Sequence, residues 1–232
     1  MPPRGKFIVF EGIDGSGKRT QLELLVRAIT DRGISCEKIS FPRYEGLFGG
    51  LVARYLNGEF GTLENVDAHL SAVLFAGDRF EAKPKIEATL ASGKNLVADR
   101  YIASNLAHQG ARVANDKRGA FLRWMKRLEC EIYGLPSEDV VIYLRVPAPA
   151  AHEQVGTKGA RDYTSLARDI QESNLEHLED ASDVYDSLSR EPNWVIIECY
   201  DARADAMRPP EEIHKEILSV IEARVLATRT AS

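Results

Sequence analysis

Cysteine is scarce in this chain. There are three in 232 residues, Cys36, Cys130 and Cys199, with no CxxC pair and no metal-ligand spacing. That excludes a disulfide-framed secreted scaffold and a zinc module, and it points to small buried fillers in a reducing cytoplasm. No apolar run approaches the ~20 residues of a membrane span. Met1-Pro2-Pro3-Arg4-Gly5-Lys6 leads directly into strand-like sequence with no secretory hydrophobic segment, so a soluble cytoplasmic protein with no membrane partner is expected. Excess positive charge is also missing: a net charge of −5 speaks against a nucleic-acid partner while leaving room for a local basic pocket. Internal repeats, low-complexity tracts and a convincing linker are absent as well. With 44% hydrophobic and 28% charged residues, positions 1–232 are expected to form one domain with a sizeable core.

What is present is an alternation of two hydrophobic periods. Phe7-Ile8-Val9-Phe10 is a continuous apolar run, as in a strand buried on both faces. Leu22, Leu25, Val26 and Ile29 then share one helical face, closed by Gly33. A second strand is expected near Glu37–Phe41, helix over 64–92 divided or kinked at Pro84, and a third strand at Asn95–Ala98. Phe121, Leu122, Met125, Leu128 and Ile132 mark an amphipathic helix stopped by Gly134 and Pro136. Val140–Val146 and Trp194–Glu198 read as the fourth and fifth strands, with a helix ending near Ser189 between them. Ile213, Ile217, Val220, Ile221 and Val225 line a final helix before residues expected to fray from about Ala227. Residues 147–163 lack periodicity and read as a mobile loop. The class is α/β: a five-stranded parallel sheet with helices on both faces.

Between the first strand and first helix stands Gly12-Ile13-Asp14-Gly15-Ser16-Gly17-Lys18. Glycines let backbone N–H groups converge on phosphate oxygens, the helix N-terminus adds partial positive charge, and Lys18 reaches the β- and γ-phosphates. The position after the lysine usually holds Ser or Thr for Mg²⁺. Here it is Arg19, which cannot ligate a cation. Thr20 follows, turned about 100° further round the helix. Mg²⁺ is therefore held either through water and carboxylates or by Thr20. Gly12, Asp14, Gly15, Ser16, Gly17, Lys18, Arg19 and Thr20 are the candidate ATP site.

A phosphate loop alone does not separate a kinase from a GTPase switch or an ATPase. Asp99-Arg100-Tyr101 adds an acid and a phosphate-binding cation at the carboxyl end of a strand, where open parallel sheets bind ligands. No Asn-Lys-x-Asp guanine motif accompanies it. At this point the sequence resembles the thymidylate kinase family. Phe10–Lys18, Phe41-Pro42-Arg43-Tyr44, Leu74-Phe75-Ala76-Gly77-Asp78-Arg79, Asp99–Asn105 and Gly134-Leu135-Pro136 occur in the family's order across roughly residues 6–200.

The resemblance implies a three-layer P-loop fold with a mobile lid at about 147–165. It also implies transfer of the γ-phosphoryl of ATP to dTMP, giving dTDP and ADP for dTTP biosynthesis, with Mg²⁺ as cofactor and a homodimer as assembly. Phe75 would stack on thymine, Arg79 would bond the base edge, and Asn105 with Ser104 would meet the base. Arg100 would hold the dTMP phosphate with Phe41, Pro42, Arg43 and Tyr44 beside it. His108 would lie by the sugar and Tyr163 by the nucleoside. Asp14 and Asp99 would organise the metal. Gly15 stands where some members carry an arginine, so lid cations are expected to act instead: Arg161, with Lys158 and Arg168 nearby. Lys18, Arg100, Asp14, Asp99 and Arg161 form the expected catalytic set. The rivals are a deoxynucleoside kinase using Glu11 as base, another nucleoside monophosphate kinase, and a nucleotide switch with no small acceptor.

Overall fold

In a computed structural model the protein is described over residues 3–156 and 174–226. Five parallel strands lie in the order β2-β3-β1-β4-β5: β1 (Phe7–Glu11), β2 (Cys36–Ser40), β3 (Asn95–Asp99), β4 (Val140–Arg145) and β5 (Trp194–Glu198). Every side chain of β1 is buried, because helices cover it above and below. Burial of Phe7, Ile8, Val9 and Phe10 contributes roughly 1.5–3 kcal/mol each. The expected fold class is the one observed.

Register brings the functional ends together. Phe10 pairs with Asp99 and Ser40 pairs with Asp99 from the other side, so β1, β2 and β3 finish level. The backbone N–H of Phe41 donates to the Asp99 carbonyl at 3.0 Å, closing that edge. The Phe41–Pro42 bond is cis.

The helices follow their apolar rows. α1 (Lys18–Thr30) buries Leu22, Leu25 and Ile29 and packs on the carboxyl-terminal helix. α2 (Leu47–Leu56) lies on α3 (Ala68–Ala91), making a second small core of Val52, Tyr55, Leu56 and Leu63 with Tyr44, Leu74 and Phe75 against it. α3 runs unbroken through Pro84, which had been expected to divide or kink it. Buried Ala82, Ile86 and Leu90 hold the flanking turns in place, and Asp67 caps the start by accepting from His69 N–H at 2.8 Å. α4 (Ile102–Ala111) is buried along its whole length and packs on α3, α5 (Asn115–Lys126) and α7 (Leu175–Leu188).

Two further elements depart from expectation. The segment 147–163 opens with helix α6 (Ala148–Gly156), whose alanines favour helix and whose Pro149 is tolerated in the first turn. The rest of that segment, with Lys158, Arg161 and Tyr163, and Arg168 beyond it, lies outside the described residues. A two-stranded ribbon, β6 (Tyr200–Asp201) with β7 (Ala206–Met207), precedes α8 (Pro210–Ile221).

Candidate active site

The phosphate loop leaves the central strand at the carboxyl edge of the sheet. Gly12 has φ +139°, and a Cβ there would sit 2.7 Å from the Leu144 carbonyl oxygen and 2.9 Å from Ser16 Oγ. Gly15 has φ +91°, and a Cβ there would lie 2.1 Å from the Ala151 carbonyl oxygen of α6. Both glycines are thus demanded by backbone passing against them. Lys18 crosses the loop and donates to the Ile13 carbonyl at 2.9 Å. The side chains of Arg19 and Thr20 are exposed to solvent. Their N–H groups lie in the first helical turn, where α-helix geometry offers no intrahelical acceptor.

Arg100 dominates the neighbouring strand end. Its backbone sits at φ +68°, an unusual left-handed value for a long side chain. Its guanidinium donates to Asp14 at 2.7 Å, Ser104 Oγ at 2.9 Å and the Gly12 carbonyl at 3.3 Å, and approaches His108 Nε2 at 3.3 Å. Burial would raise the Asp14 carboxyl, but the charges of Arg100 and Lys18 prevail and hold it far below the usual range. Burial and the Arg100 charge push the His108 imidazole well down, so it is neutral at pH 7.

Glu11 sits beneath this cluster, wholly buried. It accepts from Tyr101 N–H at 2.8 Å, Ser104 N–H at 3.2 Å, Ser104 Oγ at 2.5 Å and Tyr185 Oη at 3.0 Å. Burial raises its pKa, partly offset by those bonds. A group so enclosed is no general base for a sugar hydroxyl, which removes the basis for the nucleoside-kinase rival. Its job is structural: it holds the turn after β3 that presents Arg100.

The expected base-reading residues form a separate buried knot. Arg79 is 2% exposed and donates twice to Glu129, Nε at 2.5 Å and Nη2 at 2.8 Å. Asn105 Nδ2 donates to Glu129 Oε1 at 2.8 Å and to the Ala72 carbonyl at 3.0 Å. Its Oδ1 is buried and finds no partner among the described residues. Phe75, one turn before Arg79, is half-buried beside Tyr55.

Two expectations change in detail. Arg43 is occupied: its Nε and Nη2 donate to the Asp78 carboxylate and carbonyl at 3.0 and 2.9 Å, and Nη2 meets Glu81 at 3.4 Å. Phe41 packs in the core against Tyr101, with ring centroids 5.8 Å apart, so its side chain faces protein. Pro42 and Tyr44 are half-buried at the same corner. Glu129, Tyr185 and His177 went unnoticed in the sequence, and Asp78 was read only as part of its motif, without a role. For Glu129 a signal existed, since it lies four residues after Met125 on an apolar row.

The donors fit a metal held mainly by nucleotide and water. Among the described residues, no group of three or more His, Cys, Asp or Glu side chains is placed to hold an ion. Asp99 Oδ1 and Ser16 Oγ are buried without partners among those residues, at the edge of the phosphate loop. One or two such oxygens plus phosphates suit Mg²⁺.

Comparisons with known proteins show the family. The family model for thymidylate kinase matches residues 10–217. Thymidylate kinase of Mycobacterium tuberculosis (strain H37Rv) is 34% identical over 194 residues, covering 82% of this chain and 90% of the relative. The zebrafish (Danio rerio) enzyme is 34% identical over 222 residues, covering 94% and 91%. The human enzyme is 31% identical over 231 residues, covering 99% and 94%. In fold, the chain superposes on thymidylate kinase from Candida albicans with a TM-score of 0.74 at 21% identity, covering 95% and 92% of the two chains.

Proposed function

The chain belongs to the thymidylate kinase family and transfers phosphate from ATP to dTMP, and we propose that Arg100 holds the acceptor phosphate at the rim of the phosphate loop while it does so. The observation that carries this is the placement of Arg100. Its guanidinium lies 3.3 Å from the Gly12 carbonyl and 2.7 Å from Asp14, so a phosphate bound to it stands beside the γ-phosphate of ATP.

ATP phosphates rest on Gly12–Lys18 and on the first-turn N–H groups of Lys18, Arg19 and Thr20. Lys18 leaves the Ile13 carbonyl to follow charge on the transferring group. The acceptor is already a phosphate oxygen, so no base is required, and Glu11 remains buried. Catalysis comes from alignment and from cations placed where charge develops. Asp99 and Asp14 would hold Mg²⁺, which would supply neutralisation of phosphate charge. Thymine stacks on Phe75, Arg79 and Asn105 with Ser104 meet its edge, and neutral His108 lies toward the sugar. Arg161 supplies a further cation to the transferring group, and Tyr163 contacts the nucleoside.

We propose a homodimer paired through the face between residues 66 and 75, where Leu70 is 64% exposed. Unpaired Cys36, Cys130 and Cys199 suit a cytoplasmic setting. Among the described residues no helix is long and apolar enough to cross a membrane.

The test is ADP release from Mg-ATP with dTMP, dUMP, thymidine, CMP and AMP in turn. Turnover with dTMP, weaker with dUMP and none with thymidine, is expected. Turnover with thymidine alone removes the phosphate role of Arg100, and hydrolysis indifferent to every acceptor removes the acceptor site.

A further inference from the structure

Asn105 and Arg79 come from different helices, α4 and α3, and one carboxylate joins them. Glu129 reaches both from a π-helical stretch, Arg127–Ile132, that continues α5. Phe121, Met125 and Glu129 step inward at four-residue spacing, and the wide turn is closed by Tyr133 N–H to the Leu128 carbonyl at 2.9 Å. Single π turns commonly mark functional positions. Nothing in the phosphate chemistry uses this residue. Burying a carboxylate is costly unless it is paired and hydrogen-bonded, and here three donor bonds from two side chains serve it.

The consequence lies in the amide of Asn105. A carboxylate and a backbone carbonyl are both acceptors only. Both amide hydrogens of Asn105 are claimed by them, which settles which end of the amide is nitrogen. Oδ1 is therefore the free end, buried and with no partner among the described residues. Arg79 offers only donors. Arg79 Nη2 and Asn105 Nδ2 share Glu129 Oε1, so one carboxylate oxygen holds the acceptor of one side chain next to the donors of the other. Thymine and uracil, with N3–H as donor and O4 as acceptor, match that pattern. Cytosine, with N3 as acceptor and an amino group at C4, opposes it at both points.

We propose that Glu129 is the positioning residue that sets this polarity, making the pocket select a base with an N3–H and a C4 carbonyl over cytosine. The proposal rests on the dTMP reading above. It predicts a division of labour within selectivity: the Glu129 knot reads the N3/C4 edge and is blind to the 5-methyl group.

The experiment compares dTMP, dUMP and dCMP as acceptors for wild type, Glu129→Gln and Glu129→Asp, with ATP binding measured separately by titration. In Glu129→Gln the amide nitrogen faces Arg79 Nε in one flip, and both Arg79 Nη2 and Asn105 Nδ2 in the other, donor against donor either way. KM for dTMP is expected to rise and the dTMP-over-dCMP ratio of kcat/KM to fall, each at least about tenfold, the scale for unpairing buried polar groups. The dTMP-over-dUMP ratio, kcat within about threefold and ATP affinity are expected to hold. Glu129→Asp keeps the charge beside Arg79 but draws back from Asn105, and is expected to lose the same ratio more mildly. It also serves as the reading if Glu129→Gln does not fold. A uniform loss of kcat and ATP affinity with base selectivity intact makes Glu129 a purely structural residue and overturns the proposal, as does no change at all. A wild type with no dTMP turnover overturns the underlying reaction instead.

Discussion

Alanine at Gly15 tests whether the phosphate loop and α6 are mechanically joined. A Cβ there lies 2.1 Å from the Ala151 carbonyl oxygen and 2.8 Å from its carbon. Ordinary carbon-to-oxygen contacts begin at roughly 3.3 Å, so loop or helix must move by about 1 Å. Left-handed backbone adds about 1–2 kcal/mol for a residue with a Cβ, and overpacking about 1–3 kcal/mol more. The sum, roughly 2–5 kcal/mol, corresponds to a melting temperature lower by roughly 4–20 °C in a chain of this size. A misplacement of about 1 Å at reacting groups costs on the order of 100-fold in rate. Gly17 is the control: its φ is +90°, but a Cβ there meets nothing within 4 Å. Gly17→Ala thus carries the strain without the collision. Thermal denaturation and steady-state kinetics with ATP and dTMP are expected to show Gly15→Ala worse than Gly17→Ala in both stability and kcat. Equal effects, or a Gly15→Ala enzyme indistinguishable from wild type, would show that α6 does not brace the loop.

Further outcomes are expected. Arg100→Lys keeps the charge but loses the fork; at about 1.5–3 kcal/mol for each charged hydrogen bond, losing one or two lowers kcat/KM for dTMP by roughly 10- to 10⁴-fold. Slow ATP hydrolysis without acceptor persists, and the two assays together check the assignment. Thr20→Ala, at an exposed side chain, leaves the Mg²⁺ concentration dependence of the rate unchanged, whereas Asp99→Asn shifts it upward; the reverse result would place the metal elsewhere. Burial pushes Glu138 up to about 7, its own backbone N–H pulling it partly back and the Glu11 and Glu129 charges adding. Because its folded pKa is raised, its contribution to stability is full below about 4.5 and is lost as pH rises to about 7. His177, pushed down to about 4 by burial and the Arg112 charge, acts oppositely, losing stability as pH falls from 6.5 toward 4. Subtracting wild-type melting curves from those of Glu138→Gln isolates the first term: the difference is expected to grow in favour of the variant between pH 4.5 and 7. A flat difference removes it.

The sheet and phosphate loop were legible because they obey local rules. An unbroken apolar run is what a strand covered on both sides requires, and Gly12 and Gly15 sit where backbone crowding leaves no room for a Cβ. Periodicity misled where burial was decided by partners. Ile132 continued the apolar series of α5 yet is 65% exposed, while charged Glu129 took the inner position because Arg79 and Asn105 reach it there. Pro84 signalled a break that packing of Ala82 and Ile86 overrides. Arg43 offered a free cation on paper, but Asp78, 35 residues away, claims it. Pairings over such separations have no spacing rule to reveal them.

Arg100 occupies backbone space that costs about 1–2 kcal/mol for a side-chain-bearing residue. Asparagine or glycine would rest there more comfortably. A library of this gene screened only for heat resistance or expression is therefore expected to enrich those residues at position 100 and to discard the phosphate grip unnoticed. On the role proposed for Arg100, robustness and turnover pull the same residue in opposite directions, so a stabilisation campaign on this scaffold fixes that codon first.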